Sequence, residues 1–171
     1  AQRLKQIFCL PELKYWEQCN VVVFISDSDY EIANKVKRDL TYKCKIIYDG
    51  FELKNSSLIN SDDKEPNSFI ITAPMKSSLQ NIYNLKNFII SIWQPFISKN
   101  KKYKLYLTGN TTDDFKKYLN FSLYELKSMK IIPLGFVENI DEVISQKKFV
   151  ISPTFFGSGI RLKVLHAISL G

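Results

Sequence analysis

The sequence predicts an α/β fold, a Rossmann-like parallel sheet with helices on both faces. Two observations predict it. Short apolar runs alternate with stretches of helical periodicity from residue 21 to the end of the chain. The run at residues 21–25 is apolar at every position, as in a strand covered on both sides rather than on one.

Residues 21–25 read as a buried strand, and Ser26, Asp27 and Ser28 follow it. Glu31, three residues beyond Ser28, predicts a helix with Ser28 as its cap. Tyr30, Ala33 and Val36 carry the helical spacing toward Leu40, and residues 45–48 form a second strand closed by Asp49 and Gly50. Residues 1–50 thus hold a β-α-β unit, read as the tail end of a preceding domain. From 51 to 68 the composition turns to Asn, Ser, Asp and Lys, which predicts an exposed linker. A second domain spans 69–171, with strands at 69–72, 104–108, 131–134 and 149–152. Helices are expected at about 81–97, 113–127 and 140–146, and from Gly159 onward. Pro95 is expected to kink or end the first of these near Trp93. The residues before the 21–25 run supply no strand to sit beside it and the chain stops on a helix, so the expectation is a fragment of a larger protein.

At 171 residues and 45% hydrophobic content the chain can bury a sizeable core. No apolar run approaches the roughly 20 residues of a membrane span. Cys9, Cys19 and Cys44 are odd in number and widely spaced, which suits reduced thiols and a cytoplasmic setting. With one histidine, a structural zinc site is not expected. The net charge of +7 favours anionic partners: nucleotide phosphates or an acidic membrane surface. No nucleic-acid signature accompanies the charge, so nucleic acid is excluded as a partner. The lysines at 99, 101, 102 and 104 also suit a plain solvated face.

Ligands of open parallel sheets bind beyond the carboxyl ends of the strands. Four strand exits qualify: 73–78, 109–111, 135–138 and 153–159. The last brings Gly157, Ser158, Gly159, Arg161 and Lys163 to the start of a helix, where unpaired N–H groups and the positive dipole end favour an anion. The segment lacks a P-loop ending and a Gly-x-Gly-x-x-Gly fingerprint, which disfavours ATPase and NAD chemistry. A tight turn without ligand would use the same residues. Lys163 and His166, three apart, share a helix face, whereas Arg161 is expected to point elsewhere. Lys163 is therefore placed ahead of Arg161 as the phosphate cation.

Taken together, Phe149 to Pro153, Gly157 to Lys163 and Val164 to Ala167 resemble the donor-site segment of retaining two-domain glycosyltransferases of the GT-B type, family 4-like. The opening of residues 69–109, the exit Gly135-Phe136-Val137 and the helix from Ile140 are similar to the same donor domain, and residues 19–29 to the closing strand of its acceptor domain. The resemblance implies a hexosyltransferase that uses a nucleotide-diphospho-sugar such as a UDP- or GDP-sugar, needs no metal or other cofactor, and acts on a glycan or lipid-linked acceptor. It further implies polysaccharide biosynthesis at the inner face of the cell membrane. Gly157, Ser158, Gly159, Arg161 and Lys163 would hold the diphosphate, with Gly109, Asn110, Lys76 and Ser77 beside it. Gly135, Phe136, Val137, Ile140 and His166 would hold the nucleoside. Catalytic residues are expected in the preceding domain, so the isolated fragment is expected to be inactive. His166 stands where these enzymes carry a glutamate on the ribose hydroxyls, and Ala73 and Pro74 stand where a glycine is common. Two other readings fit the architecture: a sugar-nucleotide epimerase, which one histidine disfavours, and a non-catalytic nucleotide-binding module.

The spacing of Asp27 and Asp29 matches the Asp-x-Asp of metal-dependent transferases. Following a strand and opening a helix, it reads as a cap.

Overall fold

The computed structural model describes residues 10–36, 38–50, 63–155 and 161–171. They fall into two compact units, one within residues 1–50 and one from the remainder of the described chain.

In the first unit a helix not anticipated from the sequence, α1 (Leu10–Gln18), precedes β1 (Val22–Phe24). Helix α2 (Asp27–Val36) and a 3₁₀ segment (Arg38–Lys43) lead to β2 (Cys44–Ile46), which pairs parallel with β1. Trp16, Val22, Phe24 and Ala33 form its small core, with Trp16 edge-on to Phe24 at 5.4 Å. The cap of α2 differs from expectation. Ser26, not Ser28, accepts the Asp29 N–H at 3.2 Å, because β1 stops at Phe24 and the helix starts a residue after Ser26. The hydroxyl of Ser26 donates back to the Asp29 carboxylate at 2.8 Å, so Asp29 belongs to the cap, while the Asp27 carboxylate accepts from the Tyr48 hydroxyl at 2.9 Å.

In the second unit four strands make one parallel sheet: β3 (Glu65–Thr72), β4 (Lys104–Thr108), β5 (Ile131–Gly135) and β6 (Lys147–Val150). Their spatial order is β5-β4-β3-β6, so the chain steps outward twice and then returns to the far side of β3. This is the order of a doubly wound sheet. β3 begins at Glu65, inside the stretch read as linker, because its polar first half pairs with β6 (Glu65 opposite Lys147).

Between β3 and β4 the chain is helical through α3 (Leu79–Phe88), a π turn (Ile89–Trp93) and α4 (Gln94–Lys99). Pro95 does not break it. The N–H of Gln94 reaches back five residues to the Ile89 carbonyl, and this wider turn takes up the proline at the start of α4. The helix expected at 113–127 is three pieces: α5 (Thr112–Asp114), a π turn (Phe115–Leu119) and α6 (Leu123–Ser128). Left-handed Asn120 (φ 60°) ends the π turn, and Ser122 with Glu125 restarts the helix as a capping box. Helices α7 (Ile140–Ser145) and α8 (Leu162–Ser169) flank β6 in the chain.

Ile71, Leu105 and Leu107 pack on Leu85, Phe88, Trp93, Phe115 and Leu126 in one core. Each such side chain contributes roughly 1.5–3 kcal/mol by leaving water. The indole N–H of Trp93 is satisfied by the Met129 carbonyl at 2.8 Å. Phe69 stacks on Phe149 at 4.9 Å, joining β3 to β6. At the amino end of the sheet Glu65 accepts from Lys147 (2.6 Å), Tyr106 (2.7 Å) and Lys104 (3.0 Å), tying three strands together. No helix among the described residues is long and apolar enough to cross a membrane.

Candidate functional site

The strand order reverses between β3 and β6, so the crevice at their carboxyl ends is where a ligand would bind. Side-chain amides fix the loops around it. Asn110, fully buried, accepts the Met75 N–H at 2.8 Å and donates to the carbonyls of Ala73 (3.0 Å) and Thr108 (3.1 Å). It ties the exit of β3 to that of β4, and its amide is spent on backbone rather than turned toward a cleft. Gly109 next to it has φ 74°, and a Cβ there would lie 2.8 Å from the Pro74 Cβ, so the two loops touch only because this residue is glycine. Gly135 (φ 66°) extends the arrangement to β5: its N–H donates to the Asn110 carbonyl at 2.9 Å.

Lys76 pairs with Asp114 at 3.3 Å. Burial pushes the Asp114 carboxyl up, but bonds from Thr111 and the Lys76 ammonium outweigh it and hold the group below its ordinary range. Ser77 donates to the Pro74 carbonyl at 2.8 Å and accepts from Asn81 at 3.1 Å. Both residues stand at the exit of β3, engaged within their own loop and its neighbour.

Lys163 reaches the switch point. Its ammonium donates to the carbonyl of Thr72, the last residue of β3, at 3.0 Å. Burial first, and the charge of Arg161 second, push it below the ordinary lysine value. Helical spacing does not set the direction of Arg161: α8 begins at Leu162, so Arg161 is its N-cap in non-helical conformation (φ −91°, ψ 89°). Its Nη2 is buried with no hydrogen-bond partner. Among the described residues neither cation forms an ion pair with a carboxylate.

Gly157, Ser158 and Gly159 lie outside the described residues. Among the nucleoside candidates, Phe136 is 90% exposed directly beyond β5, while Val137 and Ile140 are half-buried. His166 Nε2 lies 2.7 Å from the Asp141 carboxylate, joining α8 to the start of α7 beside Ile140. The sequence reading missed Asp141, Asp114 and Thr72. Asp114 had a signal, since Thr111-x-x-Asp114 is a capping-box pattern. The other two are partners brought in by tertiary packing. A cavity of about 260 Å³ is lined by residues of α7, α8 and β6, and two of its lysines are engaged, Lys147 by Glu65 and Lys64 by the Gly171 carbonyl. No group of three or more His, Cys, Asp or Glu among the described residues is placed to hold a metal ion.

No family model and no curated protein matches the chain. Among solved structures it is similar to the pneumococcal O-GlcNAc transferase GtfA in complex with UDP and GlcNAc, with TM-score 0.59 and 15% identity over 94% of this chain. The chain spans 31% of that protein's length. At this identity the likeness establishes the fold: parallel sheets flanked by helices, as in the Rossmann-like domains of GT-B glycosyltransferases.

Proposed function

We propose that the second unit binds the diphosphate of a nucleotide-sugar donor and that the chain is the donor-binding part of a glycosyltransferase. One observation carries the reading. Lys163 donates to the Thr72 carbonyl at the switch point, burial and the charge of Arg161 both make its own charge costly, and among the described residues neither cation pairs with a carboxylate. Bringing like charges out of water together is costly unless an anion completes the set. A diphosphate supplies that charge in the place where doubly wound sheets bind nucleotides.

The fold shared with a UDP-binding transferase supports the same ligand class. In the reaction a nucleoside diphosphate departs, and negative charge grows on the bridging oxygen as the anomeric bond breaks. Lys163 and Arg161 would hold that charge, and α8, which no side chain caps, would add the positive end of its dipole. Such a set takes the role a divalent ion plays elsewhere, so transfer is metal-independent in this reading. Retention of the anomeric configuration, a hexosyl substrate and a glycan or lipid-linked acceptor follow from the family resemblance. So do a setting at the inner membrane face and a role in polysaccharide assembly. Phe136 and Ile140 would meet the base, and His166 the ribose.

Titration calorimetry with UDP, GDP, ADP and CMP, with and without EDTA, tests the proposal. Selective binding of one diphosphate that EDTA leaves unchanged is expected. Absence of binding by all four would overturn it.

A further inference from the structure

The connection from β6 to α8 is anchored on the β3 side at both described ends. At the far end Lys163 holds the Thr72 carbonyl at 3.0 Å. At the near end the Oδ1 of Asn84 accepts the Phe155 N–H at 2.9 Å. Asn84 sits in the middle of α3 at 6% exposure, next to Leu85 and one helical turn from Phe88, both in the core. A buried amide at such a position costs more than the apolar side chain the site would otherwise take, unless its bonds repay it. Its oxygen is spent on the backbone of a residue that stands 48% exposed at the carboxyl side of the sheet.

We infer that Asn84 is a positioning residue for diphosphate binding: by holding the Phe155 N–H it fixes the backbone of the β6 exit at the carboxyl side of the sheet. This rests on the donor-binding reading above. Loops bind well when their geometry is set beforehand, because ordering them on binding lowers affinity. α3 is a suitable anchor, since the same helix fixes the β3 exit through Asn81, whose amide donates to the Pro74 carbonyl at 3.0 Å. One helix therefore registers the two loops on either side of the switch point against each other.

The bond can be removed from either end. Asn84→Ala deletes the acceptor, and Phe155→Pro deletes the donor without touching the core, with Phe155→Ala as its control because it keeps the N–H. Leu85→Val on the same helix loosens the core and leaves the bond intact. Each variant of this chain is titrated calorimetrically with UDP and GDP, and its Tm is measured. For the nucleotide that binds the unaltered chain, Asn84→Ala and Phe155→Pro are expected to raise Kd about 5–10-fold at unchanged stoichiometry, by analogy with loss of one organising hydrogen bond. Leu85→Val and Phe155→Ala are expected to stay within about twofold even where Tm falls. If Kd is unchanged in both bond-deleting variants, or rises as much in Leu85→Val, the role of Asn84 is overturned and the donor reading stands. If the unaltered chain binds neither nucleotide, nor ADP nor CMP, the donor reading fails and this inference fails with it.

Discussion

The ammonium of Lys163 and the carbonyl of Thr72 meet at 3.0 Å, so the last helix of the second unit reaches back to the end of its first strand. The bond crosses the point where strand order reverses, and it leaves a cation there that burial and Arg161 both make harder to charge.

Lys163→Met keeps the stem and removes the charge. In the proposed site it deletes charge-assisted bonds worth about 1.5–3 kcal/mol, so the Kd for a nucleoside diphosphate should rise about 10–100-fold. Stability should move the other way or not at all. The folded chain holds this proton less tightly than the unfolded chain, whose lysine titrates near 10.5. The charge therefore destabilises at neutral pH, and that effect is relieved as pH rises toward 10.5. Thermal unfolding between pH 8 and 10.5 should show a smaller alkaline gain in Lys163→Met than in the unaltered chain.

Glu65 shows the opposite sign. Burial raises its carboxyl, but Lys147, Tyr106 and Lys104 together outweigh burial and hold it at about 2. Its contribution is then complete above the ordinary carboxylate value of 4.5 and is lost as pH falls toward 2. Glu65→Gln should cost about 1–2 kcal/mol at pH 7, at the modest end because Lys104 is half exposed and screened. Urea midpoints of the two proteins should converge between pH 4.5 and 2. A constant gap across that range would mean the carboxylate charge is not what holds β3, β4 and β6 together.

Two glycines separate backbone strain from crowding. Both have positive φ, so alanine at either loses about 1 kcal/mol or more in conformation. At Gly135 the new methyl would stand 3.6 Å from Thr111 and meet no obstacle. At Gly109 it would lie 2.8 Å from Pro74, and the loops after β3 and β4 would have to part. Gly109→Ala should therefore lower Tm more than Gly135→Ala and also weaken nucleotide binding, whereas equal Tm losses would assign both effects to φ alone.

The parallel sheet was legible because strand identity is a local matter here. Residues 104–108 form a strand with the expected bounds, since an apolar run ends at a glycine that the next loop requires. The cap of α2 was ambiguous for a physical reason: Ser26-x-x-Asp29 and Ser28-x-x-Glu31 overlap, and only the end of β1 decides between them. Glu65 looked like linker because its charge is offset by lysines far away in the chain. At the site, the glycine and cation pattern pointed to the β6 exit, but the conformation of Arg161 depends on where α8 starts. Asn84 gave no signal, and Asn110 was placed beside the diphosphate rather than as the tie between two loops, because an asparagine inside a helix or after a glycine looks the same whether it faces water or holds a loop.

The family resemblance implies a glutamate where this chain has His166, and the structure supplies that histidine with Asp141 at 2.7 Å. A carboxylate can only accept from the ribose hydroxyls, whereas an imidazole can give or take one hydrogen bond. With Nε2 occupied by Asp141, one ring nitrogen remains to contact a sugar, so discrimination should rest on a single bond rather than two. In the proposed site the unaltered chain should bind a nucleoside diphosphate more tightly than its 2′-deoxy or 3′-deoxy analogue, by about 3–10-fold for whichever hydroxyl His166 contacts, and equally for the other. His166→Ala should erase that preference while leaving the affinity for the deoxy form unchanged. Competition titrations with both analogues decide it: a preference that survives in His166→Ala would place the imidazole away from the ribose and leave it the task of joining α7 to α8.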